Sequence, residues 1–244
     1  MEKNSHMYDD KLISEFEKVI GYKYKNKKYI HVALTHSSFA NEKKLSKSQC
    51  NERMEFLGDA VLELIMSEYL YSSMKNVQEG ELTRNRASIV CEPTLDLCAR
   101  EIGLDKYIYL GKGEQMHGGR KRASIVSDAF EAVIGSIYLD GGFTSAKEFV
   151  EKFVIDGIEE KSLFYDSKTI LQEIVQGKQL GTIRYEIVKE SGPDHAKIFD
   201  VDVLVNDKKV ASGEGTTKKA AQQQAAYKAI LRYRQIDQSC QNKE

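Results

Sequence analysis

Acidic residues recur at helical spacing within residues 51–62, and they are the first feature of the sequence that suggests chemistry. These acids are Glu52, Glu55 and Asp59. Spacings of three and four residues place them on one face of a helix, where three like charges repel one another. The opposite face is apolar, through Phe56, Leu57 and Val61. We therefore expect the row of acids to lie beside the core of the protein rather than on a fully solvated helix.

A second pair of acids, Asp128 and Glu131, lies one helical turn apart in a segment of otherwise apolar or small residues. If the two acidic helices face each other, their carboxylates form an oxygen-only pocket with a high negative charge. Hard divalent cations such as Mg²⁺ are what such a pocket binds. Solvated helix faces with ordinary neighbours show the same spacing, so spacing alone leaves both interpretations open.

Other kinds of site find little support in the sequence. The four cysteines form no C-x-x-C pair and have no histidine at zinc-ligand spacing, so we expect reduced thiols in a cytosol. The histidines show no Ser/His/Asp arrangement, and Gly111-Lys112-Gly113 lacks Walker-loop spacing and is interpreted as a turn. No run of about 18 apolar residues predicts a membrane span. We expect no membrane association and no organic cofactor.

The chain is predicted to contain two domains joined by a short linker. Residues 8–160 show helical periodicity and are predicted to form an all-helical domain. The predicted linker is 161–166, and residues 167–235 are predicted to form an α-β-β-β-α domain. The predicted elements are a helix at 168–178, strands at 184–189, 197–205 and 210–212, and a helix at 217–233. Gly213-Glu214-Gly215 lies between the third predicted strand and the last predicted helix.

Charge differs slightly between the two parts of the chain. Residues 166–235 contain 12 basic and 9 acidic residues, whereas residues 1–165 contain 23 basic and 26 acidic residues. A mildly basic second domain that follows an acidic first domain is consistent with different functions for the two domains, although the contrast in charge is modest.

The segment Asn51-Glu52-Arg53-Met54-Glu55-Phe56-Leu57-Gly58-Asp59-Ala60-Val61-Leu62 closely resembles the signature of the ribonuclease III family. Similarity continues at 33–42, at 79–84, and at 111–114 with 123–135, and it covers about residues 11–233. The resemblance implies a helical ribonuclease III catalytic domain followed by a double-stranded-RNA-binding domain. It also implies an endonuclease that hydrolyses phosphodiester bonds in double-stranded RNA and leaves 5′-phosphate and 3′-hydroxyl ends.

Carried over position by position, the resemblance implies roles for six acids. The residues that correspond to metal ligands are Glu55, Asp128 and Glu131. The expected cofactor is Mg²⁺, with Mn²⁺ as a substitute. The residues that correspond to catalytic acids are Asp59 and Glu131. The accessory acids at the border of the site, near the dimer interface and the RNA, are Glu52 and Glu79.

The second domain resembles a double-stranded-RNA-binding domain in three segments, 169–173, 192–195 and 218–221. By this resemblance, the residues that contact 2′-hydroxyls, base edges or phosphates are Thr169, Gln172, Glu173, His195, Lys218 and Lys219. Thr216 departs from the family pattern, which often has another lysine there.

The family works as a homodimer, so the resemblance implies a dimeric cytoplasmic enzyme that processes ribosomal RNA precursors and other structured RNAs. The apolar residues Met54, Phe56 and Leu57 fit either the dimer interface or the core of the subunit. One alternative is a non-catalytic double-stranded-RNA-binding dimer, although such copies tend to lose acids that are all present here. Another is a metal-dependent phosphohydrolase acting on small nucleotides, which would have no use for a duplex-binding domain.

Overall fold

The computed structural model of the protein describes residues 8–157, 167–192, 197–215 and 217–241. Its contacts divide the chain into two compact units, 1–158 and 159–244. The predicted linker lies outside the described residues, so the domain boundaries drawn from the sequence remain a prediction. None of the helices in the described ranges is both long enough and apolar enough to cross a membrane.

Helices build the first unit, as the periodicity of the sequence predicts. They are α1 (Asp10–Ile20), α2 (Lys28–Ala33), α3 (Ser37–Glu42), α4 (Glu52–Ser73), α5 (Glu79–Ile89), α6 (Glu92–Glu101), α7 (Lys112–Met116) and α8 (Ala123–Val150), which continues as a π-helical turn at Glu151–Ile155. Lys112 begins a short helix, so the interpretation of Gly111-Lys112-Gly113 as a turn was wrong.

Helix α8 lies at the centre of the first unit. Almost every residue from 125 to 137 is buried, and a helix that is apolar on all sides belongs in the interior. Helices α2, α4 and α6 pack around it, with α4 making the most extensive contact. Two acids interrupt this apolar run, Asp128 and Glu131, and both are half-buried. Their position follows from the burial of the helix that bears them.

The second unit contains two helices packed on a three-stranded antiparallel sheet. It begins with α9 (Ser167–Gly177), continues with β1 (Ile183–Ser191), β2 (Ile198–Val205) and β3 (Lys208–Gly215) in the spatial order β1-β2-β3, and ends with α10 (Lys218–Gln241). On β2, buried Phe199, Val201, Val203 and Val205 alternate with more accessible residues, as a strand with one face in the core requires. The predicted α-β-β-β-α order is confirmed.

Strand β3 includes Gly213-Glu214-Gly215 and so extends beyond the predicted end of the third strand at Ser212. A methyl group at Gly213 would overlap the backbone of Ala221 and Ala225 in α10, and one at Gly215 would also press on α10. Glycine is needed there because the strand lies directly against the helix. The turn between β2 and β3 is formed by Asn206 and Asp207, both at positive φ.

Candidate active site

Two glycines bring the backbones of α4 and α8 into direct contact. A methyl group at Gly58 would overlap the carbonyl oxygen of Glu131, and one at Gly135 would overlap the carbonyl oxygen of Met54. Glycine inside a helix costs roughly 0.5–1 kcal/mol relative to alanine, so close packing is the physical reason for its presence at this crossing. Because no side chain separates the backbones, the neighbours of Gly58 lie close to the N-terminal half of α8.

Four carboxylates gather beside this crossing, from Glu55 and Asp59 on α4 and from Asp128 and Glu131 on α8. Burial raises the pKa of Glu131 to about 8, and repulsion from Asp59, Glu55 and Asp128 adds to the rise. Burial likewise raises the pKa of Glu55 to about 7, with further repulsion from Asp128, Glu52 and Asp59. Each acid thus affects the protonation of another, which means that acids from both helices share one site.

The pKa values of Asp59 and Asp128 are also raised, and the causes reveal residues that the sequence analysis missed. Partial burial is the first cause for both, followed by Glu63 for Asp59 and by Glu92 for Asp128. The Arg86 guanidinium acts in the opposite direction and lowers the pKa of Asp59. Glu92 begins α6 and Arg86 lies on α5, so no spacing relative to residues 51–62 could have identified them.

The four acids suit a hard divalent cation in their chemistry. They offer carboxylate oxygens only, and a bound cation would relieve the burial and repulsion that raise their pKa values. As the side chains stand, however, no three His, Cys, Asp or Glu residues within the described ranges are grouped closely enough to hold a metal ion. The carboxylates lie within electrostatic reach of one another, and their side chains would have to rotate to form a coordination shell.

The two predicted accessory acids occupy different places. Glu52 begins α4, is exposed, and contributes to the raised pKa of Glu55. Glu79 begins α5, where its carboxylate accepts a hydrogen bond of 2.9 Å from the Thr83 hydroxyl. Glu79 is not among the charges that shift the pKa values of the four gathered acids. The structure therefore brings Glu52 to the edge of the site, whereas Glu79 lines a neighbouring cavity together with Arg86.

A stripe of exposed apolar side chains runs along α4, formed by Phe56, Leu64 and Tyr71. These residues are 79%, 58% and 77% exposed, and separations of eight and seven residues keep them on one side of the helix. Phe56, for which the sequence left both the dimer interface and the core open, is exposed, whereas Val61 is buried. Large apolar side chains exposed along one side of a helix are typical of surfaces that contact another protein.

Five of the six predicted RNA-contacting residues lie on the surface of the second unit. Thr169, Gln172 and Glu173 are exposed on α9. Lys218 and Lys219 are exposed at the start of α10, where the helix N-terminus adds its own positive potential. The Lys218 ammonium lies 3.4 Å from the Glu190 carboxylate and 5.6 Å from the centre of the Phe199 ring. His195, which was predicted to contact RNA, lies outside the described residues.

Comparisons with known proteins fit both units. A family model described as Ribonuclease-III-like matches residues 26–158, and one described as a double-stranded RNA binding motif matches residues 167–233. The protein named ribonuclease 3 from Caldanaerobacter subterraneus subsp. tengcongensis is 45% identical over 222 residues, which cover 90% of this chain and 97% of that protein. The chain belongs to the ribonuclease III family. The resemblance seen in the sequence is thereby confirmed.

Further relatives agree with this assignment. Ribonuclease 3 of Staphylococcus aureus is 44% identical over 219 residues, which cover 89% of this chain and 90% of that protein. The solved nuclease domain of ribonuclease III from Campylobacter jejuni is 39% identical with a TM-score of 0.55, and the match covers 59% of this chain and 96% of that chain. Membership confirms the predicted architecture, a helical ribonuclease III domain followed by a double-stranded-RNA-binding domain. It makes the chain a ribonuclease, a hydrolase of double-stranded RNA.

Proposed function

We propose that the protein cuts double-stranded RNA with a divalent cation held by Glu55, Asp128 and Glu131, and that Asp59 and Glu131 are its catalytic acids. The products are RNA ends with a 5′-phosphate and a 3′-hydroxyl. The observation that supports this proposal is the mutual repulsion of four carboxylates from α4 and α8 at one half-buried site. Ordinary solvated helix faces would not raise the pKa of Glu131 to about 8.

The roles of the acids follow from their burial. When bound, a divalent cation such as Mg²⁺ or Mn²⁺ supplies Lewis-acid stabilisation of negative charge on phosphate and lowers the pKa of water. Glu131 is half-buried and feels all three neighbours, so it is the acid most in need of a counter-charge and the central ligand. Asp59 is exposed, so its carboxylate can orient a water molecule or accept its proton. Glu52 adds negative charge at the edge of the site.

Replacing Glu131 with Gln tests the proposal, since it removes one charge and keeps the shape of the side chain. We expect cleavage of a labelled perfect duplex in Mg²⁺ to fall at least about 100-fold. Binding of the same duplex, measured without divalent cations, should stay within about twofold. EDTA should abolish cleavage by the unaltered protein. Undiminished turnover by Glu131→Gln would contradict the proposed site, whereas cleavage in EDTA would contradict its use of a metal.

We extend the proposal to a homodimer whose interface includes Phe56, Leu64 and Tyr71. Their exposure on α4 supports it, since an apolar stripe of three large side chains costs free energy in water. The solved nuclease domain from Campylobacter jejuni is described as having a region involved in dimer formation. Sedimentation of the purified protein measures the oligomeric state, and a strict monomer at micromolar concentration would contradict this part of the proposal.

The cellular role proposed is processing of ribosomal RNA precursors and other structured RNAs in the cytoplasm. Support for it comes from the ribonuclease III family and from the cysteines at positions 50, 91 and 98, which form no disulfide and suit a reducing compartment. Glu79 is retained as an accessory acid in this proposal, acting outside the group of four. The alternative of a non-catalytic double-stranded-RNA-binding dimer would show duplex binding without any metal-dependent cleavage.

A further inference from the structure

The second unit contains a groove beside its proposed duplex-binding face. It has a volume of about 520 Å³ and runs between α9 and the start of β1. The side chains that matter for its chemistry are Lys168, Thr169, Gln172, Gln176, Thr182 and Tyr185. Its size falls within the range of small-ligand sites in proteins, roughly 300–1,000 Å³.

One rim of the groove continues the proposed RNA-binding face of α9. Thr169, Gln172 and Gln176 are separated by three and four residues, so they form one row along the helix. Glu173 is exposed on the neighbouring side of α9 and does not line the groove. A nucleic acid held by Thr169 and Gln172 would therefore have its nearest nucleotides at the entrance of the groove.

The lining favours a flat, neutral ligand with both donors and acceptors at its edge. The two amides and the hydroxyls of Thr169 and Thr182 provide both functions, while Val175 and Ile183 provide apolar surface. The cation of the groove, the Lys168 ammonium, is already engaged, because it donates a 2.8 Å hydrogen bond to Gln222 and lies 5.1 Å from the Tyr185 ring centre. A phosphate group would need a less committed positive charge. A nucleobase matches the lining better.

Tyr185, which lines the groove, carries an unsatisfied polar group. The Tyr185 hydroxyl is inaccessible to water and has no hydrogen-bond partner among the described residues. Burial without a partner costs about 1–3 kcal/mol, which a ligand could recover by bonding to this hydroxyl. Because this hydroxyl is inaccessible, side chains around Tyr185 would have to shift before a bound base could reach it.

From these observations we infer that the groove binds an unpaired nucleobase next to the duplex, such as a bulged or loop nucleotide. Bases within a duplex have their pairing edges occupied, whereas an unpaired base presents them to amides and hydroxyls. The groove would thus select structured RNAs in which an unpaired nucleotide lies beside the helical segment bound by α9. This inference rests on the proposed binding of double-stranded RNA.

The test compares two RNAs that differ by one nucleotide. One is a perfect duplex containing 2-aminopurine in a pair, and the other contains the same fluorescent base as a single bulge. Binding of each to the full-length protein is measured in buffer without divalent cations, so that no cleavage occurs. We expect tighter binding of the bulged RNA and a change in emission of the bulged base on binding, because stacking alters its fluorescence.

Two variants on neighbouring sides of α9 separate the groove from the duplex-binding face. Gln176→Ala should weaken binding of the bulged RNA by about fivefold, the effect of losing one neutral hydrogen bond, and leave the perfect duplex unaffected. Glu173→Ala, the matched control, should affect both RNAs equally. Equal binding of bulged RNA by the unaltered protein and Gln176→Ala, with unchanged emission, would overturn the inference. Failure of the unaltered protein to bind either RNA would instead overturn the proposed function.

Discussion

The two units place their functional residues in opposite environments. In the first unit, Glu55, Asp128 and Glu131 are half-buried where α4 and α8 touch, and Asp59 is exposed beside them. Repulsion among these acids helps to raise the pKa values of Glu55 and Glu131. The proposed RNA contacts of the second unit are exposed on α9 and at the start of α10. Burial makes the acids interdependent, whereas exposure lets each contact act almost independently. A single change should therefore have a large effect in the first unit and a small one in the second.

The two environments differ because hydrolysis and duplex binding require different arrangements of charged side chains. Hydrolysis of a phosphodiester needs a strong local field, which requires carboxylates in a partly dry site. Duplex binding needs many weak contacts spread over a surface, and solvated side chains provide these without a folding cost. Repulsion among its acids therefore destabilises the folded first unit, whereas the solvated contacts of the second unit cost little free energy of folding.

The backbone crossing is the most sensitive point of this comparison. Gly58→Ala would force α4 away from the Glu131 carbonyl, and we expect a loss of about 3 kcal/mol in the free energy of unfolding, together with most of the cleavage activity. Thermal unfolding and duplex cleavage measure the two effects. Gly80→Ala is the control for stability, since a methyl group at exposed Gly80 meets nothing within 4 Å. Equal melting temperatures for the two variants would contradict the claim that close contact between the backbones of α4 and α8 positions the acids.

The stored repulsion should appear in the stability of the metal-free protein. Glu131 has a pKa of about 8 when folded and an ordinary value of 4.5 when exposed, so the unfolded chain loses this proton at lower pH. The stabilising contribution of the protonated Glu131 side chain is therefore fully present below pH 4.5, and it is lost as pH rises through about 8. We expect the Glu131 contribution to this loss to be about 1–2 kcal/mol, because water screens part of the repulsion at a half-buried site.

Glu131→Gln should remove this part of the pH dependence and raise the melting temperature of the metal-free protein at pH 8. Glu148→Gln, which changes an exposed acid on the same helix, serves as the control and should change neither. Addition of Mg²⁺ should stabilise the unaltered protein more than Glu131→Gln, since the cation relieves the same repulsion. A melting temperature for Glu131→Gln equal to or below that of the unaltered protein at pH 8, without metal, would contradict this account.

The sequence revealed most of the fold because its periodicities are strong. Alternation along 199–205 predicted β2, and apolar periodicity around Val133 predicted α8. The pattern did not predict which apolar residues the core of the protein covers. Phe56 and Val61 were assigned to one apolar face, yet Phe56 is exposed and Val61 is buried. Apolar character alone does not say whether the surface that covers a residue belongs to its own chain.

The candidate active site was likewise only partly predictable from the sequence. Spacings of three and four identified Glu55 and Asp59 as neighbours because both lie on one helix. Their approach to Asp128 and Glu131 depends on Gly58 and Gly135, which appear in sequence only as glycines inside helical segments. The influences of Glu92 and Arg86 come from other helices, so they required three-dimensional coordinates.

The smallest expected effect concerns the lysines at the start of α10. Changing Lys218 and Lys219 to Glu should weaken binding of a perfect duplex by about tenfold at low salt and reduce the slope of log affinity against log salt by about 1–2. The reason is that each lysine that neutralises a phosphate releases one counterion. Lys219→Glu alone should give about half of this change, without the added repulsion from Glu190 that Lys218→Glu creates.

Lys228→Glu, at an exposed position later in α10, is the matched control for net charge. If the control lowers the salt slope as much as Lys219→Glu does, then general charge rather than contact at the helix start determines duplex binding.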